Sequence, residues 1–328
     1  MRGDETSGAA RSSLPDNRSG PRRPARLVGV TVGVVVGLLV AAGLLRIAIH
    51  FDLAHLRTPD LYADDLTDDD YWKLHYRWVP QYHHVPAAGF SHPLLGWAPP
   101  ETPDNPLGAI TAAPSVPDFG APALLFYGDS FVRGETPMPA RIPQQLGGYF
   151  PGVAVYNLGV GGYGIDQTFL RFEQSYRRFV RPIVLFGILT EDLDRAVLSV
   201  RSGQKPRFVV AGDRLVLPSE PIAADQPTWL AAHPPEVWSY FLAMIVRRVR
   251  LIAGGRRLGV QSKRAEKEAI ATRILANVVS ECRESGTPLV FVLFYGLAGN
   301  TIVATAIADY MWQHVPEAAR ALGRDSRR

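Results

Sequence analysis

From Leu27 to Leu45 the chain runs nineteen residues without a charge, built almost wholly from Val, Leu, Gly and Ala. At 1.5 Å per residue a helix of that length comes close to crossing a hydrocarbon core of about 30 Å. Arg46 can snorkel and Ile47 to Ile49 can lengthen the span. A soluble core helix is rarely apolar on every side for so long. A signal peptide is the nearer rival, but its apolar region is normally about 7–15 residues, and no small-x-small cleavage site follows here. Residues 27–49 are therefore expected to form an uncleaved transmembrane helix. Arg2, Arg11, Arg18, Arg22, Arg23 and Arg26 precede it, whereas Asp52, Asp60, Asp64, Asp65, Asp68, Asp69 and Asp70 follow. That asymmetry places the N-terminus in the cytoplasm and everything from about residue 50 outside the cytoplasmic membrane.

Residues 1–26, rich in Ser, Gly, Pro and Arg, bury too little apolar surface to repay ordering and are expected to be a disordered basic tail. The net charge of +4 in 328 residues comes from the two tails rather than from a patch, so nucleic acid is not an expected partner. The single Cys282 excludes an intramolecular disulfide, leaving an exported domain to its core alone. Residues 50–120 read as an irregular acidic, then aromatic and Pro-rich lead-in that packs Trp72, Trp78 and Trp97 on the domain. His83 and His84 suggest a metal, but no third ligand stands at usable spacing, so neither metal nor cofactor is expected.

From Ala121 short apolar runs alternate with helical patterns. Strands are expected at Ala123–Tyr127, Val153–Leu158, Pro182–Leu189 and Pro288–Tyr295. Helices are expected near Ala140–Phe150, Ile165–Phe179, Glu236–Ala253, Lys263–Ser285 and Thr301–Leu322, with a hairpin around Gly212-Asp213. This order predicts an α/β domain over 121–328, a parallel sheet with helices on both faces. In ALLFYGDSFVRG the first buried strand ends at Gly128, and Ser130 falls on the turn at its carboxyl end, the edge where open α/β sheets bind ligands. A simpler role is also open, with Asp129 or Ser130 capping the next helix.

Gly128-Asp129-Ser130, Asn157-Leu158-Gly159-Val160-Gly161-Gly162-Tyr163-Gly164 with Asp166-Gln167, and Gly187-Ile188-Leu189-Thr190-Glu191-Asp192 together resemble, in order and spacing, the first three blocks of the SGNH (GDSL-type) hydrolases. Lys205-Pro206-Arg207-Phe208 and His92-Pro93-Leu94-Leu95-Gly96-Trp97 look like segments of exported or membrane-anchored members, and the similarity covers roughly residues 90–295. It implies a flavodoxin-like fold, Ser130 as the nucleophile of an esterase or acyl-transfer enzyme, and Gly162 as a backbone oxyanion donor, with Gly128, Asp129, Asn157 and Asp192 in support. Substrates would be acyl-ester or O-acetylated glycans or lipids of the cell envelope.

Two departures stand out. Glu191 occupies the position of the family's oxyanion asparagine, and an ionised carboxylate has no hydrogen to donate. Losing one such donor costs on the order of 2.7–4 kcal/mol of transition-state stabilisation. The family's Asp-x-x-His base is also missing after the last strand, where Asp309 and His314 are five apart and i and i+5 do not share a helical face. His314, and by residue type His233, remain as candidate bases. Asp192 and Arg195 are equally readable as a surface ion pair. Three accounts fit: a truncated or frame-shifted relative of an active enzyme, a degenerate member that binds acylated ligands without turnover, or an enzyme with a different base. The alternative function is a non-catalytic envelope glycan-binding or assembly protein.

Overall fold

The computed structural model describes residues 22–53, 55–63, 65–79, 91–110, 116–218, 221–253, 258–294 and 300–315. The chain divides into two compact units, residues 1–54 and residues 55–328. The first contains helix α1 (Arg22–His50), whose residues from Arg26 to His50 are long and apolar enough to cross a membrane. His83 and His84 lie outside the described residues.

The second unit is α/β. Strands β3 (Pro122–Gly128), β4 (Ala154–Gly159), β5 (Arg181–Leu189) and β8 (Leu289–Phe294) form one parallel sheet in the order β4-β3-β5-β8. Side chains alternate across a strand. Leu125 and Tyr127 therefore join one core with Phe169 and Phe172 of α5 (Ile165–Ser175) and Ile270, Ile274 and Val278 of α9 (Leu258–Glu284). Leu124 and Phe126 join the other with Ile142 and Leu146 of α4 (Ile142–Tyr149) and Ala304, Ile307 and Met311 of α10 (Asn300–His314). Covered on both faces, β3 and β5 must read as continuous apolar runs. The hairpin is formed by β6 (Val209–Ala211) and β7 (Arg214–Val216), turning at Gly212-Asp213.

The lead-in departs from the irregular segment expected. Asp69–Trp78 is a helix, α2, whose N-cap Asp68 accepts from Asp70 N–H at 3.1 Å. Acidic residues suit a helix N-terminus, where the backbone dipole is positive; the aromatic residues that follow have only middling helix propensity, which hides the element. The short strands β1 (Ser91–His92) and β2 (Gly96–Trp97) pair antiparallel. Leu95, Trp97, Leu107 and Ala109 are buried in the same core as the α5 and α9 face of the sheet.

The chain enters the sheet at β3, steps out to the edge at β4, crosses back to β5, and proceeds to β8. The order thus reverses between β3 and β5. Their carboxyl ends diverge into connections on opposite sides, the crevice in which open α/β sheets hold ligands.

Candidate functional site

Ser130 is the first residue of α3 (Ser130–Arg133), directly after β3. The capping role open to Asp129 is realised: its Oδ1 accepts from Phe131 N–H at 2.8 Å. Asp129 Oδ2 accepts from Ser130 Oγ at 3.3 Å, so the cap also touches the hydroxyl. No histidine among the described residues hydrogen-bonds Ser130.

The second block reaches the same edge through the register of β3 with β4, which pairs Gly128 with Gly159. Val160 N–H donates to the Gly128 carbonyl at 3.0 Å. A Cβ at Gly159 would collide with the backbone nitrogen of Arg133, so the residue type is set by this close approach of β4 to α3. Asn157 is fully buried as a strut between the same elements: its Nδ2 donates to the Arg133 carbonyl at 3.1 Å, and its Oδ1 accepts from Gly159 N–H at 3.1 Å. Gly162 has φ +81°, the left-handed region that glycine tolerates. Beside it, Trp97 Nε1 donates to the Gly161 carbonyl at 3.1 Å.

The third block enters as α6 (Thr190–Arg195), immediately after β5. Here the structure corrects the surface ion pair. Asp192 and Arg195 are both buried. Arg195 Nη1 donates to Asp192 Oδ1 at 2.7 Å, to Asp129 Oδ2 at 3.2 Å and to the Tyr163 carbonyl at 2.9 Å. One guanidinium therefore ties together the turn after β3, the loop after β4 and the helix after β5. Asp192 Oδ2 also accepts from Leu189 N–H at 3.0 Å. Glu191 behaves differently: its side chain is 71% exposed and meets Arg195 Nη2 at 3.3 Å.

A second buried pair stands behind the first. Lys205 Nζ donates to Asp166 Oδ2 at 2.5 Å and to the carbonyls of Arg195, Leu198 and Pro206. Sequence reasoning missed both cations as anchors. The available signal was an acid at the start of the helix that follows each of β3, β4 and β5, Asp129, Asp166 and Asp192, since a buried carboxylate requires a partner.

Burial, and then the neighbouring Asp129, hold the Asp192 carboxyl well above the ordinary carboxylate range, with Arg195 opposing them. Between the unfolded value near 3.9 and the raised native one, the folded state binds more protons than the unfolded state, so stability falls as pH rises. This contribution is complete below about pH 4 and is lost as pH passes through the native pKa. Urea unfolding at pH 5 and pH 8 is expected to give the higher midpoint at pH 5, and Asp192→Asn to flatten that difference. An unchanged slope in the variant would reject the assignment.

His314 is exposed at the end of α10, its ring 4.7 Å from that of Tyr310. Trp312 stacks on Phe150, centroids 5.1 Å apart, and Phe150 lies just ahead of the amino end of β4. His314 thus sits toward the amino edge of the sheet, a strand length or about 20 Å from the edge that carries Ser130. That position corrects the candidate base. His233 is exposed and stacks on Trp229 at 4.2 Å. The sequence Asp52-Leu53-Ala54-His55 has the family's Asp-x-x-His spacing, but it precedes every strand, and His55 is exposed. A cavity of about 540 Å³ lined by Pro93, Leu94, Gln204, Leu217, Ile222 and Trp229 includes none of Ser130, Gly162 or Glu191.

No protein-family model and no curated protein sequence matches the chain. Among solved structures it is similar to a member of the lipolytic protein G-D-S-L family from Veillonella parvula, at 11% identity and a TM-score of 0.28, over 60% of this chain and 99% of that one.

Proposed function

We propose that the chain is a membrane-anchored serine esterase or O-acyl (acetyl) transferase of the SGNH type, acting outside the cytoplasmic membrane on acylated envelope glycans or lipids. The observation that carries this reading is the convergence, through Arg195, of the Ser130 turn, the Gly162 loop and α6 at the edge where strand order reverses. Ser130 Oγ attacks the ester carbonyl, and backbone N–H groups at Ser130 and Gly162 receive the oxyanion. The hydroxyl proton passes to Asp129 Oδ2, its acceptor among the described residues, and on to the departing alcohol. Water or a second alcohol then takes the acyl group from Ser130. The six arginines ahead of the apolar helix support an outward-facing domain.

The test uses the full chain in detergent with p-nitrophenyl acetate and a fluorophosphonate probe. Hydrolysis and labelling are expected, with both lost in Ser130→Ala; equal rates in the two proteins would remove Ser130 from the mechanism. Glu191 and the distant His314 favour a second reading, a non-catalytic receptor for acylated glycans. It predicts no labelling, and glycan binding that survives Ser130→Ala.

A further inference from the structure

Helix α8 (Tyr240–Ile252) is composed mostly of apolar residues, yet none of its residues is buried. It packs through Tyr240, whose ring lies 5.4 Å from Tyr62 and 5.3 Å from Trp78, and through Arg247, which donates to the Ala63 carbonyl. Each residue advances a helix by 100°, so the opposite face carries Leu242, Ile245, Val249 and Ile252, with Phe241 and Arg248 along one edge of it. Ile252 is 86% exposed, Trp238 just ahead of the helix 77%, and Val249 59%. Apolar side chains gathered in this way on a surface mark a contact with something other than water.

Charge indicates what that contact is. Between Val237 and Ala265 there is no acidic residue, whereas Arg247, Arg248, Arg250, Arg256, Arg257, Lys263 and Arg264 all fall within it. Arginines beside exposed Trp, Val and Ile are the composition of a helix lying in a bilayer interface over anionic headgroups. Chain length agrees. The segment Pro59–Ala63 on which α8 packs is separated from the end of α1 by the eight residues Phe51–Thr58. Eight residues reach at most about 28 Å, so a membrane entered by α1 is within reach.

We propose that α8 lies on the membrane surface, with Trp238, Val249 and Ile252 entering the boundary between headgroups and acyl chains and Arg248 facing anionic lipid. The domain would thereby hold one orientation to the bilayer instead of swinging on its tether. The inference rests on α1 as a membrane helix and is independent of the chemistry at Ser130.

The test places a nitrobenzoxadiazole label on Ile252→Cys in the full-length protein, reconstituted in phosphatidylcholine/phosphatidylglycerol vesicles. Buried Cys282 stays unlabelled, and exposed Val180→Cys, outside α8, serves as control. The Ile252 label is expected to be quenched several-fold more by spin-labelled lipid than the Val180 label, and several-fold less by aqueous iodide. Arg248→Glu, or vesicles of phosphatidylcholine alone, should narrow both differences. Iodide reaching both labels equally would overturn the proposal. So would an Ile252 label shielded from iodide yet unquenched by lipid, the result for a protein partner or a second copy. Carbonate-resistant flotation reports α1 separately: its loss would remove the anchor and this proposal with it, whereas flotation with an iodide-accessible label removes the proposal alone.

Discussion

Lys205→Met is expected to lower the stability of the unit formed by residues 55–328 by about 3–5 kcal/mol, the usual cost of deleting one partner from a buried ion pair. The side chains of Lys205 and Asp166 are both fully buried. Burial pushes each toward its neutral form, raising Asp166 and lowering Lys205, and their mutual attraction opposes this. Methionine fills much the same volume, so the loss comes from charge and hydrogen bonding rather than from a cavity. It strands the Asp166 carboxylate and leaves the carbonyls of Leu198 and Pro206, at 3.0 and 2.8 Å, without the ammonium. Urea unfolding followed by circular dichroism measures the effect. Adding Asp166→Leu should recover much of it, because an apolar pair can replace a buried ion pair at little cost. A loss below about 1 kcal/mol in the single variant would place this pair with exposed salt bridges.

Lys205 also shows what the sequence could and could not disclose. The sheet was legible because β3 and β5 are buried on both faces and leave an uninterrupted apolar signature. The turn at Gly128-Asp129-Ser130 was legible because a short polar turn ends such a run. Helix α2 was not, since its start depends on Asp68 and two further acids that read equally well as a solvated loop. The partners of the buried acids were hidden for another reason. Asp129 and Arg195 lie 66 positions apart, and Asp166 and Lys205 lie 39 apart. Only the closing of three βα units onto one edge brings them together, and no local pattern records that. Local spacing misled in one instance: Asp192 and Arg195 at i and i+3 look like any exposed helical pair, and they are buried because Asp129 and the Tyr163 carbonyl cover them.

Glu191→Asn is expected to raise kcat toward p-nitrophenyl acetate by on the order of 10²-fold, with KM little changed, because it exchanges a carboxylate for a side-chain donor at the edge where an oxyanion would form. Its stability cost should be small: Glu191 is 71% exposed, and its contact with Arg195 at 3.3 Å belongs to a class worth about 0–1 kcal/mol. Arg195 keeps Asp129, Asp192 and the Tyr163 carbonyl, so the three loops stay joined. Glu191→Ala separates the two contributions, since alanine removes the negative charge and supplies no donor. A rate order of asparagine above alanine above glutamate, abolished by Ser130→Ala, would put residue 191 in the oxyanion site and identify Glu191 as the brake on this chain's chemistry. Asparagine no faster than alanine would place residue 191 outside that site. The limiting deficiency would then be the base, which Asp129 Oδ2, already engaged by Arg195 and Ser130, would have to supply alone.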